Sequence, residues 1–231
     1  MYDVHLRENL PRVQERIAAA QARSGRSAAV TIVAVTKTHP AEAARAALAA
    51  GLRAIGENRV QELAEKVEAV GRAAAEWHLI GHLQRNKVRR ALPLFDMIES
   101  VDSYRLAQEL SAEAERAGQD VESLVEVNIS GEESKSGFSP EELLDAAAAV
   151  GQLPRLRVRG LMTIGPLTED RAAIRAAFVR MRGLFEACAR DVPAFDARWL
   201  SMGMSGDFEV AVEEGSTMVR LGTILFGERL Q

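Results

Sequence analysis

Lys37 closes the run Val30-Thr31-Ile32-Val33-Ala34-Val35-Thr36, and a lysine delivered by an apolar, β-branched segment is the residue here best suited to chemistry. The run reads as a buried parallel strand, followed by Thr38-His39-Pro40 and an alanine-rich helix. An ammonium at such a strand end faces a desolvation cost unless it is paired, deprotonated or converted to an imine. Buried lysines of lowered pKa form Schiff bases with carbonyl compounds. A lysine that snorkels to the rim and pairs with a carboxylate fits this segment equally well. The second candidate is Ser201-Met202-Gly203-Met204-Ser205-Gly206-Asp207, which follows a strand and opens a helix at Phe208. Small residues admit a ligand close to the backbone, and the N–H groups of a helix start favour a phosphate. Arg220-Leu221-Gly222-Thr223 follows, with Arg220 and Gly222 on one face of a last strand by alternation. Taken alone, Ser205 and Asp207 also make good helix caps.

The elements that must position these residues alternate along the whole chain. An opening helix carries Leu6, Leu10, Val13 and Ile17 at helical spacing. Eight short strands are expected near residues 30–36, 52–56, 77–81, 95–100, 123–130, 157–164, 198–202 and 217–224. Between them Asp102 is expected to cap one helix, Ser139-Pro140-Glu141-Glu142 to open another, and Thr168-Glu169-Asp170 a third. The fold class is therefore α/β: a (β/α)8 TIM-type barrel with an extra N-terminal helix, residues 1–231 forming a single domain. An open doubly wound sheet is the alternative, but no Gly-x-Gly-x-x-Gly turn follows the first strand. A barrel gathers its site at the C-terminal strand ends, and polar residues recur there: Lys37, Asn58, His82, Asp102, Asn128 and the loop 130–137. Singly, Asn58, Ser100 and Asp102 read as caps, and His78 and His82 as satisfied interior histidines.

Composition narrows the classes. The chain has 231 residues, 47% of them hydrophobic, enough for a full core without staples. One cysteine, Cys188, excludes a disulfide framework and a cysteine-rich zinc site, and its place on an apolar helix stripe reads as core. A net charge of −4 gives no electrostatic case for nucleic acid, and Arg85-Asn86-Lys87-Val88-Arg89-Arg90 reads as a solvated helix face. No signal-peptide pattern or membrane-spanning run is present, so a cytoplasmic protein without a membrane partner is expected.

A lysine to capture an aldehyde and a Ser/Gly turn with Arg-x-Gly-Thr to hold a phosphate together describe pyridoxal 5′-phosphate (PLP). The chain also carries a family's motifs in order: Val33-Ala34-Val35-Thr36-Lys37, Gly56-Glu57-Asn58, Trp77-His78-Leu79-Ile80-Gly81, Ser134-Lys135-Ser136-Gly137, Gly160-Leu161-Met162, Leu200-Ser201-Met202-Gly203-Met204-Ser205 and Val219-Arg220-Leu221-Gly222-Thr223. These resemble the pyridoxal phosphate homeostasis proteins, whose barrel is similar to the N-terminal domain of alanine racemase. The resemblance implies PLP bound as a Schiff base on Lys37, Arg220 facing the pyridine nitrogen, Ser205, Gly222 and Thr223 around the phosphate, and Asn58 and Ser201 beside the cofactor. Arg59 departs from the family's usual aromatic residue and Leu79 from a common Phe.

Two function classes follow. A racemase needs acid/base groups on both faces of the cofactor, and in the resembling racemase one comes from a second domain for which a chain ending at Gln231 leaves no room. Tyr2 and Tyr104 are its only tyrosines and neither is an evident replacement. An arginine at the ring nitrogen supplies no proton and weakens the electron sink. The expectation is a monomeric, non-enzymatic PLP carrier in intracellular PLP homeostasis, with PLP-dependent apo-enzymes as candidate partners. A slow amino-acid racemase is the alternative, and an aldolase-like Schiff-base enzyme a third. Lys135 is either an exposed lysine paired with Glu132 or Glu133 or a second amine that moves the cofactor outward.

Overall fold

The computed structural model describes residues 1–132, 134–193 and 195–227. Helix α1 (Tyr2–Ser24) precedes β1 (Thr31–Val35), α2 (Ala41–Ala49), β2 (Ala54–Glu57), α3 (Val60–Val70) and β3 (Glu76–Leu79). There follow α4 (Val88–Ala91), β4 (Met97–Val101), α5 (Tyr104–Ala117), β5 (Val121–Val127), α6 (Leu143–Gly151) and β6 (Leu156–Thr163). The chain continues through α7 (Arg171–Asp191), β7 (Trp199–Ser201), α8 (Phe208–Glu213), β8 (Met218–Leu221) and α9 (Thr223–Phe226). The strands close in sequence order, β1 pairing with both β2 and β8, and every pairing is parallel. All eight expected strands are present, and the fold is the expected TIM-type barrel with an added N-terminal helix.

Strand alternation makes two cores. Outward residues such as Ile32, Ile55, Trp77, Ile98 and Leu161 pack under the helices, joined by Leu6, Leu10, Val13 and Ile17 of α1. Inward residues Val33, Val35, Ala54, Ile80, Met97, Leu124, Met162 and Met218 fill the barrel as a separate cluster. The same alternation, continued past each strand end, turns Lys37, Asn58 and His82 toward the mouth of the barrel.

Three local details differ from expectation. Ser103, not Asp102, caps α5, its Oγ accepting from Leu106 N at 3.3 Å, because Asp102 is drawn to His82. Ser139 and Glu142 bond each other's backbone N–H reciprocally, but they close a turn before α6, which begins at Leu143. Strand β8 stops at Leu221, and Gly222 and Thr223 open the short α9 instead of extending it. The segment Thr168-Glu169-Asp170 opens α7 as expected, with Asp170 as its cap, Oδ1 accepting from Ala172 N at 2.8 Å. Cys188 lies wholly within the core, where burial pushes its thiol up to about 11. The basic run forms a short 3-10 turn and α4, with Val88 buried and Arg85, Arg89 and Arg90 exposed. Among the described residues no helix is long and apolar enough to cross a membrane.

Candidate functional site

The C-terminal strand ends enclose a cavity of about 490 Å³. Lys37, Asn58, Ser205, Arg220, Gly222 and Thr223 all line it, so residues from β1, β2, β7 and β8 meet in one space. The β7 loop reaches the cavity by a turn that only glycine fits: Gly203 has φ +99, and a Cβ there would lie 2.6 Å from Ala211 Cβ. Helix α8 behind this turn is tied down by Arg16–Glu209 at 2.8 Å, Arg23–Glu213 at 2.7 Å and Arg182–Glu214 at 2.6 Å. Ser205 Oγ accepts from Ile224 N at 3.4 Å, joining the β7 loop to the start of α9. Hydroxyls, small residues and the first turn of α9 thus converge, the arrangement by which barrels hold phosphate after strands seven and eight.

Arg220 is held from below. Its Nη1 donates to Ser201 Oγ at 2.7 Å and Ser201 O at 3.0 Å, and its Nη2 to Thr163 O at 2.7 Å. Ser201 Oγ donates to Glu99 Oε2 at 2.6 Å, and His78 Nδ1 lies 2.7 Å from Glu99 Oε1. Burial opposes the charge on Glu99, but His78, Arg220 and Ser201 outweigh it and hold the carboxyl below its ordinary range. Ser201 is fully buried in this chain of bonds and is not among the residues lining the cavity. His78 is a satisfied interior histidine, and Glu99 lies buried beside it inside the barrel.

Lys37 stands on a clamped turn. Thr36 Oγ1 donates to Glu57 Oε1, and Lys66 Nζ reaches both Thr36 O at 2.8 Å and Glu57 Oε1 at 2.5 Å. Thr38 has φ +64, a left-handed conformation unusual for a β-branched residue, and its N–H donates to Glu62 Oε2 at 2.9 Å. Helix α3 therefore fixes the residues on both sides of Lys37. Asn58 is set by contact with the β3 loop, where a Cβ on Gly81 would come within 2.7 Å of Asn58 O. Burial raises the Glu57 carboxyl above its ordinary value, with Lys66 and Thr36 opposing, and Glu57 Oε2 has no hydrogen-bond partner among the described residues.

The opposite wall, from β3 to β5, gathers His82, Asn128 and Lys135, expected on the rim, with Glu126, which the sequence did not single out. His82 Nδ1 lies 2.5 Å from Asp102 Oδ2. Glu126 faces the cavity from β5 and is 6% exposed, and burial pushes its carboxyl up to about 7, with Asp102 adding and Arg220 and His82 opposing. An isolated glutamate in Val125-Glu126-Val127, in phase with buried Leu124, was the available signal. Asn128 folds the following loop, donating to Glu132 O at 2.9 Å and Lys135 O at 3.2 Å. Lys135 Nζ is held by Glu132 Oε1 at 2.5 Å, Gly165 O at 2.9 Å and Ser130 Oγ at 3.2 Å while lining the same cavity. Its other suggested partner, Glu133, lies outside the described residues. Neither Tyr2, whose hydroxyl is 3.1 Å from His39 Nδ1, nor Tyr104 lines the cavity. Arg59 is exposed and 3.6 Å from Glu62, and Leu79 is buried beneath the helices.

Fold and site define a closed parallel barrel with a lysine after the first strand and a cluster of hydroxyls and glycines after the last two. The family model described as alanine racemase, N-terminal domain, matches residues 9–230. A pyridoxal phosphate homeostasis protein of Pseudomonas aeruginosa is 45% identical over 96% of this chain and 95% of its own. Among solved structures, an unknown protein from Bifidobacterium adolescentis is 43% identical, with a TM-score of 0.91 over 97% of this chain and 96% of that one. PipY of Synechococcus elongatus PCC7942, solved with PLP bound, is 39% identical, with a TM-score of 0.80 over 92% of this chain and 99% of that one. The chain belongs to the alanine racemase N-terminal domain family and, within it, to the pyridoxal phosphate homeostasis proteins.

Proposed function

We propose that this chain binds pyridoxal 5′-phosphate in the barrel mouth, as a Schiff base on Lys37, and buffers or delivers the cofactor without turnover of its own. The observation that carries this reading is the convergence of Lys37, Ser205, Gly222, Thr223 and Arg220 on one cavity. The donor set fits the group: hydroxyls and small residues for a phosphate, an amine for an aldehyde, and a guanidinium for a ring nitrogen. When bound, the cofactor supplies an aldehyde that condenses with amines and a ring that withdraws electrons. Lys37 would hold it covalently, Ser205, Gly222 and Thr223 would hold its phosphate, and Asn58 would border it. Arg220, fixed by Ser201 and Thr163, would set a positive charge at the ring nitrogen and donate no proton to it. Ser201 acts from behind Arg220.

No tyrosine lines the cavity, which supports binding over racemisation. Glu126 is an acid/base group within the cavity, however, and slow racemase turnover is the second reading. The same proposal places one barrel domain, residues 1–231, as a monomer in the cytoplasm, handing PLP to apo-enzymes. Its test is the visible spectrum of the PLP-treated protein before and after borohydride, beside Lys37→Ala. A reducible chromophore in the parent alone supports it; an identical chromophore in the variant overturns the assignment of Lys37.

A further inference from the structure

The carrier reading uses the β1, β2, β7 and β8 sides of the cavity and gives the β3–β5 wall no task. Glu126 enters that wall from β5, more than nine-tenths buried, its carboxyl open to the cavity and, among the described residues, in no hydrogen bond. The charged groups facing it are Asp102 and His82 on the same wall and Arg220 across the floor, with Lys37 and Lys135 on the same cavity. Arg220 is already bonded to Ser201 and Thr163, and Lys135 to Glu132, Ser130 and Gly165, so neither satisfies Glu126. A carboxyl more than nine-tenths buried, near Asp102 and opening on a cavity, is matched by a cation placed in that cavity.

We propose that the β3–β5 wall is a subsite for a primary alkylammonium, the incoming amine that displaces Lys37 from the cofactor, and that Glu126 takes its proton. The inference rests on the PLP reading of this cavity. The ammonium passes one proton to the Glu126 carboxylate and gains a lone pair. Its nitrogen bonds the carbon that Lys37 held, the Lys37 carbon–nitrogen bond breaks, and the proton on Glu126 passes to the released lysine. One amine has replaced another, Glu126 is restored, and nothing is oxidised or reduced. A group poised at about 7 is suited to this exchange at neutral pH. The Glu126 carboxylate, with Asp102 behind it, also repels an α-carboxylate. The subsite thus selects an amine with no adjacent acid, such as a lysine side chain, over a free amino acid.

The test is the rate at which n-butylamine displaces Lys37 in PLP-loaded protein, followed by absorbance on both sides of pH 7. In the parent the rate at fixed total amine is expected to rise as Glu126 ionises and then level off above about 7. Glu126→Gln should be about 100-fold slower and rise simply in proportion to unprotonated amine. Asp102→Asn should move the parent's limb to lower pH, since the neighbouring charge that raises Glu126 is gone. Glycine should exchange more slowly than n-butylamine. In cofactor-free protein, carboxyl NMR should show Glu126 titrating near 7 and moving down when n-butylammonium is added. An unchanged rate and profile in Glu126→Gln, or glycine exchanging as fast as n-butylamine, overturns the subsite. Parent protein with no reducible cofactor on Lys37 overturns the PLP reading instead, and the cofactor-free titration then decides the subsite alone.

Discussion

Replacing Glu126 by glutamine is expected to stabilise the protein, and only at neutral to alkaline pH. Inside the barrel the carboxyl keeps its proton up to about 7, whereas in the unfolded chain it releases it near 4.5. The fold therefore favours the protonated form, and that contribution is present below 4.5 and lost as pH rises through about 7. At about 1.4 kcal/mol per pH unit, the interval amounts to about 3 kcal/mol that the parent forgoes above 7 and the neutral amide does not. For a chain of this size the midpoint should rise by about 6–12 °C. The assay is urea unfolding of cofactor-free parent and Glu126→Gln, one pH unit above 7 and again near 4.5. Near 4.5 the gap between the two proteins should narrow to a small fraction of its higher-pH value. Equal stability at both pH values, or a glutamine variant weaker than the parent at the higher one, would refute a buried, unsatisfied carboxylate.

The remaining expectations concern other members of the site. Lys37→Ala should lose the borohydride-fixed cofactor but keep its melting temperature, because Lys37 belongs to the rim and not the packed core; a large drop in melting temperature would contradict this. Arg220→Glu should be a folding mutation before it is a spectroscopic one, since it sets a second carboxylate beside Glu99, now 4.0 Å from the guanidinium, at a cost of about 3–5 kcal/mol in thermal or urea melts. Lys66→Ala strands the buried Glu57 and should cost a similar amount at neutral pH, with stability recovering as pH falls and Glu57 takes a proton; a pH-independent loss in urea unfolding would count against the ion pair. Lys135→Ala should leave PLP on Lys37 but slow its transfer to an added apo-enzyme, and equal transfer at equal loading would return Lys135 to its bonds with Glu132 and Gly165.

The barrel and one side of its mouth were legible because period-two alternation carries inward residues past each strand end. Val33, Val35 and Lys37 form one such series, and Met218, Arg220 and Gly222 another. What escaped depended on contacts between distant segments. Glu57 and Lys66 are close in sequence, but their pairing needs α3 to fold back over β2, and sequence alone equally allows two solvated charges. Glu126 was visible as one charge in an apolar strand, but its isolation follows from Arg220 being taken by Ser201 and Thr163. Asp102 read as a cap because nothing local reveals that β3 will bring His82 to it. The stop of β8 at Leu221 follows from the backbone turn at Gly222, which alternation cannot foresee.

The central claim is that Lys37 carries the cofactor. The direct measurement is peptide mapping by mass spectrometry after the protein is loaded with PLP and reduced with borohydride. A phosphopyridoxyl mass on the peptide containing Lys37, absent without reduction, is the expected result. The same mass on Lys66, Lys87 or Lys135, with Lys37 unmodified, would contradict it.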